Sequence, residues 1–346
     1  MREIIQEVVK AVQHNCDVAD ARYAGEDPLC VYLMKMRDFF RWSEGVSLGE
    51  PVDRNALGDW IVSKETAWDE LEEAEFQPEP IVIDGQEFNR FDNAAINKLL
   101  IPQGYIYSGG LGRQARPIYF LGELVKTETT ANATIWVSGR ELSRCVVAPP
   151  AMSQLGAIII RSDSLKRYLA SMVEEWSWKK GDNAMGEVVS HYNFETDFHG
   201  ALNAMVDNEM ENLILHEIGE RIAEELIGEG WQEMIANLPT PLQEMKARAV
   251  RDNLADCTVT LPAFLTFKDR NSMNFYYANM TPIRKELFPS FCSAYENSLR
   301  FGDVEEMTRV INRGRQHWVS IGKQLVRSNQ KGEAEAIRRC LESSGF

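Results

Sequence analysis

The chain has 346 residues, of which 44% are hydrophobic and 26% charged, so its composition fits a globular protein of one large or two ordinary domains. Its formal net charge of −15 argues against binding to a nucleic-acid backbone or to an anionic membrane, because both require a basic surface. The six cysteines form no C-x-x-C pair, and their wide spacing predicts reduced thiols in a cytoplasmic protein rather than disulfides or a zinc ribbon.

The first 76 residues are predicted to form an N-terminal helical region. The first helix starts at the amino terminus without the apolar core of a signal peptide. A second helix is predicted over 29–42, and a third over 53–75 ends in an acidic run, 70–75, that we expect to be solvated. The apolar stripe of the second helix is predicted to be buried and consists of Leu29, Leu33, Met36 and Phe40.

A compact polar group lies between the first two predicted helices. It consists of Cys16, Asp17, Asp20 and Arg22. Two interpretations are open: the group faces a cleft, or the segment is a helix junction in which the acids cap a helix.

Residues 77–150 are predicted to form a small antiparallel β-region. Short β-branched and aromatic runs, separated by turn-forming residues, are typical of such a region. The runs are 81–88, 104–107, 118–121, 133–137 and 145–148. The segment 108–113, which contains Gly109 and Gly112, lacks the Lys-Ser/Thr of a phosphate-binding P-loop and is predicted to be a flexible hairpin loop.

Residues 151–346 are predicted to form a C-terminal helical domain, so the predicted fold class is α+β and predominantly α-helical. No apolar run is long enough to span a bilayer; the longest lies near 157–160. After a helix predicted over 164–178, the chain presents His191, Glu195 and His199, which would share one face in either a helical or an extended segment. They could add a ligand to a metal site, or lie solvated in a polar loop.

The most informative stretch is a helix predicted between about Gly200 and Gly228. At about 100° per residue, Glu209, Asn212, His216 and Glu220 share one face of this helix. The two ends of that face are apolar and should turn toward the core. Buried carboxylates are tolerated when they are paired or when they hold a cation, so the face predicts either an ion network or a metal site.

The segment 213–220, Leu-Ile-Leu-His-Glu-Ile-Gly-Glu, resembles the helix of the zincin metallopeptidases, whose motif is H-E-x-x-H. Glu220 stands in the place of the second histidine. The resemblance implies metal ligation by His216 and Glu220, and the role of general base for Glu217. As a whole, the chain resembles a bacterial family without an assigned function.

A second helix, predicted over 242–259, repeats the acidic pattern with Asp252 and Asp256 four residues apart. If the two helices pack antiparallel, these acids join the predicted ligands Glu209, His216 and Glu220. Such an oxygen-rich set with one nitrogen suits a divalent metal; zinc is favoured, and iron or manganese would also fit. The competing interpretation is a structural network in which nearby arginines neutralise the acids; they are Arg221, Arg248 and Arg251.

Three functions fit these patterns, and no organic cofactor is predicted. The favoured one is a metal-dependent hydrolase that activates water for attack on a small-molecule or peptide substrate, with Glu217 as the base. The first alternative is a helical-bundle di-iron oxidase, because the spacing of Glu209 and His216 is similar to that in heme-oxygenase-like di-iron proteins. The second alternative is a non-catalytic helical scaffold with a buried polar network and no metal.

Overall fold

The computed structural model places two compact units along the chain, residues 1–174 and 175–346, each described by itself below. The residues it describes are 2–73, 78–112, 115–130, 133–154, 156–301 and 304–346. Within these ranges, no helix has both the length and the apolar character that crossing a membrane requires. The fold is α+β and mostly helical, with its strands in the first half, which confirms the predicted class.

Three helices begin the first unit. They are α1 (Arg2–Tyr23), α2 (Leu29–Ser43) and α3 (Arg54–Glu73). In the acidic run at the end of α3, Glu70 and Glu72 are exposed as predicted, whereas residues 74 and 75 lie outside the described part of the chain. The helices therefore fall where the sequence predicts them.

The predicted apolar stripe of α2 is only half buried. Met36 and Phe40 are in the core, but Leu29 is 69% exposed and Leu33 44% exposed, so the prediction is wrong for these two leucines. The buried residues that α2 adds to the cluster with Trp68 of α3 are Met36 and Phe39, which lie in its second half. The apolar stripe of a helix is buried only along the length that a neighbouring element covers. The sequence pattern of the helix does not show how long that covered part is.

The polar group of α1 lies inside the helix, not at a junction. Asp17 pairs with Lys64 of α3, with 2.8 Å between Oδ1 and Nζ. The buried Asp20 accepts a hydrogen bond at Oδ2 from the backbone amide of Val146, 2.9 Å away. Residues 145–148, predicted as a strand, form a loop. The hydrogen bond to Asp20 is the reason, because it occupies the Val146 amide that would otherwise pair with a neighbouring strand.

In the part of the first unit that the structure describes, seven strands form two sheets. The first sheet is the hairpin β1 (Ile81–Ile83) and β2 (Gln86–Phe88); the second contains β3 (Tyr105–Leu111), β4 (Pro117–Thr129), β5 (Thr134–Arg144), β6 (Ala151–Gln154) and β7 (Ala157–Arg161). The helix α4 (Asn93–Leu100) lies between the two sheets in sequence. The order in the second sheet is β3-β4-β5-β7-β6, and only the β5–β7 pair is parallel.

Two parts of this sheet differ from the prediction. The glycine-rich segment is not a loop over its first four residues, since Ser108–Leu111 pair with β4; Arg113 lies outside the described residues. Gly109 is required there, because an added Cβ would lie 2.2 Å from the carbonyl oxygen of Arg90. Strand β7 was not predicted; it is buried at every position, so its sequence shows an apolar run without alternation.

One buried cluster of the first unit contains residues from both regions predicted as 1–76 and 77–150. Val8 and Val12 of α1 pack in the same buried cluster as Ile81 of β1 and Tyr119 and Leu121 of β4. The division into three regions stays a prediction. The helix α5 (Ser162–Lys179) follows the last strand.

The second unit is helical over its described residues. Its helices are α6 (Ala184–Tyr192), α7 (Phe198–Ile227), α8 (Trp231–Ala236), α9 (Pro241–Ala255), α10 (Leu261–Phe267), α11 (Arg270–Asn279), α12 (Pro282–Leu287), α13 (Pro289–Phe301), α14 (Val304–Gln330) and α15 (Ala334–Glu342). Trp318 of α14 is fully buried in the core that α7 and α9 also line.

Between α9 and α10 the chain does not leave the helical path. Residues Asp256–Thr260 form a π-helical turn, called the π segment below. The helix predicted to end near Val259 therefore continues through a widened turn into α10. Such turns are frequent at functional sites because they shift the side chains around the helix axis.

Candidate functional site

The site begins with the close approach of α7 to α9. Asp197 and Thr240 cap the two helices, each accepting a hydrogen bond from a backbone amide of the first turn. At Gly219 of α7, an added Cβ would lie 2.8 Å from the carbonyl oxygen of Ala255. The glycine therefore permits the contact that sets one face of α7 against the end of α9 and the π segment.

His216 lies between two carboxylates at this contact. Its Nδ1 is 2.7 Å from Oδ1 of Asp256, and its Nε2 is 3.3 Å from Oε1 of Glu220. Burial lowers the pKa of His216, but the charge and hydrogen bond of Asp256, reinforced by Glu220, outweigh burial and raise this pKa well above its usual value. The ring is thus oriented by one carboxylate on each nitrogen.

Asp256 is fully buried in the π segment and receives three partners. Besides His216, the Tyr276 hydroxyl donates to Oδ2 from 3.0 Å, and Arg284 donates to the same oxygen through Nη2. Burial raises the pKa of Asp256, but His216 and Arg284 outweigh burial and hold it well below its usual value. Arg284 is fixed in turn by Asn253, with 2.9 Å between Nε and Oδ1.

Arg251 of α9 neutralises the remaining acids. Its Nη2 is 2.6 Å from Oε1 of Glu220 and 3.1 Å from Oδ1 of Asp252, and its Nη1 is 3.2 Å from Oε1 of Glu224. Against the effect of burial, His216 and Arg251 lower the pKa of Glu220 to about 2. Burial and the charge of Glu220 raise the pKa of Asp252. Of the other predicted neutralising arginines, Arg248 pairs with Glu244 instead.

Three of the predicted ligands, called the triad below, come close enough to hold one ion. His216, Glu220 and Asp252 each offer one ligand atom, and these atoms lie within 4.8 Å of one another. Among the described residues no other group of three histidines, cysteines or acids does so. All three side chains are partly exposed, and the histidine presents Nε2 to Glu220. The residues present therefore fit a divalent cation with one nitrogen and two oxygen donors.

Glu209, predicted as a ligand, belongs to a different cluster. Its carboxylate accepts hydrogen bonds from the amides of Asn208 and Asn212, at 3.3 and 3.1 Å. Both amides also donate to the Ser272 hydroxyl, from 2.8 and 2.6 Å. Burial raises the pKa of Glu209 to about 7. Seven residues of helix separate it from His216, which is about 10 Å along the axis.

The other predicted groups also lie away from the triad. Glu217 is buried and is turned about 100° around α7 from His216. The segment with His191, Glu195 and His199 is neither one helix nor a strand, because α6 ends at Tyr192 and α7 starts at Phe198. These three side chains are exposed, and none belongs to the group of ligand atoms around His216.

Two residues of the site are not predicted from sequence. Arg284 lies in an ordinary polar stretch of α12, and its role follows only from its contact with the buried Asp256. Tyr276 lies in an aromatic segment, 274–279, that could equally line a pocket or simply pack. A buried acid signals that a cationic partner exists, but the sequence does not say which one.

Two family models match the chain. They are described as the N-terminal and the C-terminal domain of a family of unknown function (DUF6866), and they match residues 7–161 and 166–344. No curated protein and no solved structure matches the chain. The boundary between the two matches falls at the start of α5, and the triad lies in the C-terminal match.

Proposed function

Because the chain belongs to the family of unknown function DUF6866, its activity has to be argued from its own residues, and we propose that it binds one divalent cation through His216, Glu220 and Asp252. Zinc is the favoured ion, and a metal-dependent hydrolase is the favoured activity. The proposed site uses three of the five ligands that the sequence predicts and leaves out Glu209 and Asp256.

The observation that carries the proposal is the orientation of the His216 ring. A histidine that ligates a metal almost always donates its other ring N–H to a carboxylate or carbonyl group, which fixes the tautomer. Asp256 accepts in this way from Nδ1 at 2.7 Å, and it is itself held by Tyr276 and Arg284. The other ring nitrogen, Nε2, therefore faces Glu220 on the side of the triad, where it would ligate the ion.

The chemistry follows from the donor set. A divalent cation with three protein ligands and an open position acts as a Lewis acid toward water or a carbonyl group. The chain's own contribution would be Arg251, which would give up its contacts to Glu220 and Asp252 and keep Glu224. Freed in this way, its guanidinium could bind an anionic group of the substrate. The role of general base for Glu217 rests on the zincin resemblance alone.

A second candidate, the non-catalytic polar network, is favoured by the position of Arg251. Its Nη2 lies 2.6 Å from Glu220 and 3.1 Å from Asp252, so a guanidinium already supplies the positive charge that a metal would bring. In this candidate the network holds α7, α9 and α12 together. The di-iron alternative stays a prediction with its own stoichiometry, two irons per chain.

Elemental analysis of the full chain distinguishes these functions. Native protein, His216→Ala and the control His191→Ala are each incubated with zinc, manganese or ferrous iron, and unbound ions are removed. We expect about one zinc per chain in the native protein and the control, and none in His216→Ala. Protein that retains none of the three ions would leave the polar network as the function of these residues, and two irons would favour the oxidase.

A further inference from the structure

A cavity of about 390 Å³ lies in the first unit, between α4 and the second sheet. One wall is formed by α4 and by Ile101 and Pro102 in the turn that follows it. The other wall is formed by Trp136 of β5 and Ile159 of β7, which are paired neighbours in the sheet. The volume is within the range of small-molecule sites, roughly 300–1,000 Å³.

The second sheet curls around an apolar cluster that includes part of the cavity wall. The two edge strands approach each other, because the Ser108 hydroxyl of β3 donates to Sδ of Met152 in β6 from 2.9 Å. All five strands contribute to the cluster, whose members include Ile106, Phe120, Trp136, Met152 and Ile159. A sheet that curls in this way presents a concave apolar face, as the mouths of ligand-binding β-barrels do.

The wall formed by α4 is held in place by two asparagines. Nδ2 of Asn97 donates to the carbonyl oxygen of Tyr107 from 2.8 Å, and Oδ1 of Asn97 accepts from the amide of the same residue, also at 2.8 Å. Asn93 forms the same pair of bonds with Gly109, at 2.8 and 2.7 Å. Both side chains thus pair with the edge of β3 as a neighbouring strand would. Their amide groups are bonded inside the protein and do not depend on a polar ligand.

Apart from the two asparagines, the lining is apolar except for one charge. Lys98 is the only charged residue among the lining residues that the structure describes. Its side chain is exposed and forms no ion pair with a described residue. The apolar lining consists of Ala94, Ile101, Pro102, Trp136 and Ile159. A ligand with an apolar body and one anionic group matches both parts of this lining.

We propose that this cavity binds a small carboxylate with an apolar body, such as a medium-chain fatty acid. The body fills the space between α4 and Trp136, and the carboxylate pairs with the ammonium group of Lys98 at the rim. The residues of this site lie in the first unit, whereas those of the triad lie in the second. Either proposal can therefore fail without the other.

Isothermal titration of the full chain tests the proposal with octanoate, 1-octanol and acetate as probes. We expect saturable binding of octanoate, weaker binding of 1-octanol, which lacks the charge, and no binding of acetate, which lacks the apolar body. In Lys98→Gln the affinity for octanoate should fall about two- to fivefold, because one exposed charge pair is lost. The affinity for 1-octanol should stay the same in this variant.

Ala94→Phe tests whether octanoate binds in the cavity itself. Ala94 lines the cavity and is exposed, so the added ring takes up cavity space without replacing a core residue. The affinity for octanoate should fall at least about tenfold. Ala56→Phe is the matched control, because it adds the same ring at an exposed alanine in the first turn of α3. This control should bind octanoate as the native chain does.

The outcomes separate the two parts of the proposal. The cavity is not the binding site if octanoate does not bind saturably, or if Ala94→Phe binds it as tightly as Ala56→Phe does. An octanoate affinity that is unchanged in Lys98→Gln overturns the pairing of the carboxylate with this lysine.

Discussion

At the scale of single residues, Asp256 is the group on which the geometry of the triad depends. It contacts no ion itself in the proposed site, but its Oδ1 fixes the ring of His216 from 2.7 Å. Replacing a carboxylate that orients a metal-ligating histidine typically costs about 10–100-fold in metal affinity. Asp256 is therefore a positioning residue whose contribution can be measured apart from that of the ligands.

We expect Asp256→Asn to weaken zinc binding by about 10–100-fold, because the asparagine keeps the shape of the side chain but loses the charge. Competition with a chromophoric chelator measures the affinity. Glu244→Gln is the matched control, because Glu244 pairs with Arg248 and is outside the triad, so this variant should bind zinc as the native chain does. Equal affinities in Asp256→Asn and the native chain would contradict the positioning role.

The raised pKa of Glu209 leads to a separate prediction about how the stability of the chain depends on pH. Burial raises its pKa from 4.5 to about 7 in the folded chain. Between these values the folded chain binds more protons than the unfolded chain, so the free energy of unfolding falls as the pH rises. The loss is complete above the folded pKa and is on the order of 3 kcal/mol.

Glu209→Gln should remove this loss, because glutamine stays neutral at every pH, and its one carbonyl oxygen can still accept from one of the two asparagine amides. Urea unfolding of both proteins at pH 5 and pH 8 measures the effect. The stability of the variant relative to the native chain should rise by about 2 kcal/mol from pH 5 to pH 8. If the two proteins lose stability in parallel, Glu209 is not the titrating group.

At the scale of elements, the contact of α7 with α9 depends on Gly219. A Cβ at this position would meet the backbone of Ala255, which cannot rotate away as a side chain can. We expect Gly219→Ala to destabilise the chain by about 1–3 kcal/mol, despite the higher helix propensity of alanine. Urea unfolding measures the loss.

The control for this change is Gly58→Ala in α3, where an added Cβ meets nothing within 4 Å. With open space around it, this variant should be neutral or more stable by up to about 1 kcal/mol, through helix propensity alone. A Gly219→Ala protein that is as stable as Gly58→Ala would show that the helices can separate at no cost. The triad would then not depend on their close contact.

The helices of the site could be predicted from sequence because their patterns are local. Leu202 and Ala223 are fully buried at the two ends of the face that carries His216, as its periodicity predicts. The spacing of Glu220 after His216, and of Asp256 after Asp252, also placed these side chains on shared faces. Glu209 shares a face with His216 as well, but a position on a face does not fix which neighbour a side chain meets.

What could not be predicted are contacts that depend on distant segments. Arg284 meets Asp256 across 28 residues of sequence, and Val146 meets Asp20 across 126 residues. Nothing in the local pattern of either segment specifies its partner. Likewise, the run 145–148 has the composition of a strand, but buried side chains take its backbone hydrogen bonds.

At the scale of the whole molecule, composition and pattern predict the class of the fold. They do not predict which elements pack into the same buried cluster. The net charge and the apolar content indicate a globular chain, and the change of pattern near residue 77 indicates a β-region. The first of the N-terminal helices nevertheless shares a core with that region, because α1 buries its apolar face on the strands. A helix whose partner is a sheet shows the same periodicity as one whose partner is another helix.

The π segment has a consequence for comparing members of the family. A π turn holds about one residue more than an α turn, and here it allows Asp256 to reach His216 while Leu261 and Phe264 remain in the core. A relative that is one residue shorter between Asp252 and Leu261 would rotate one of these groups by about 100°. We therefore expect a single-residue gap at this point in an alignment to mark the relatives that have lost the site.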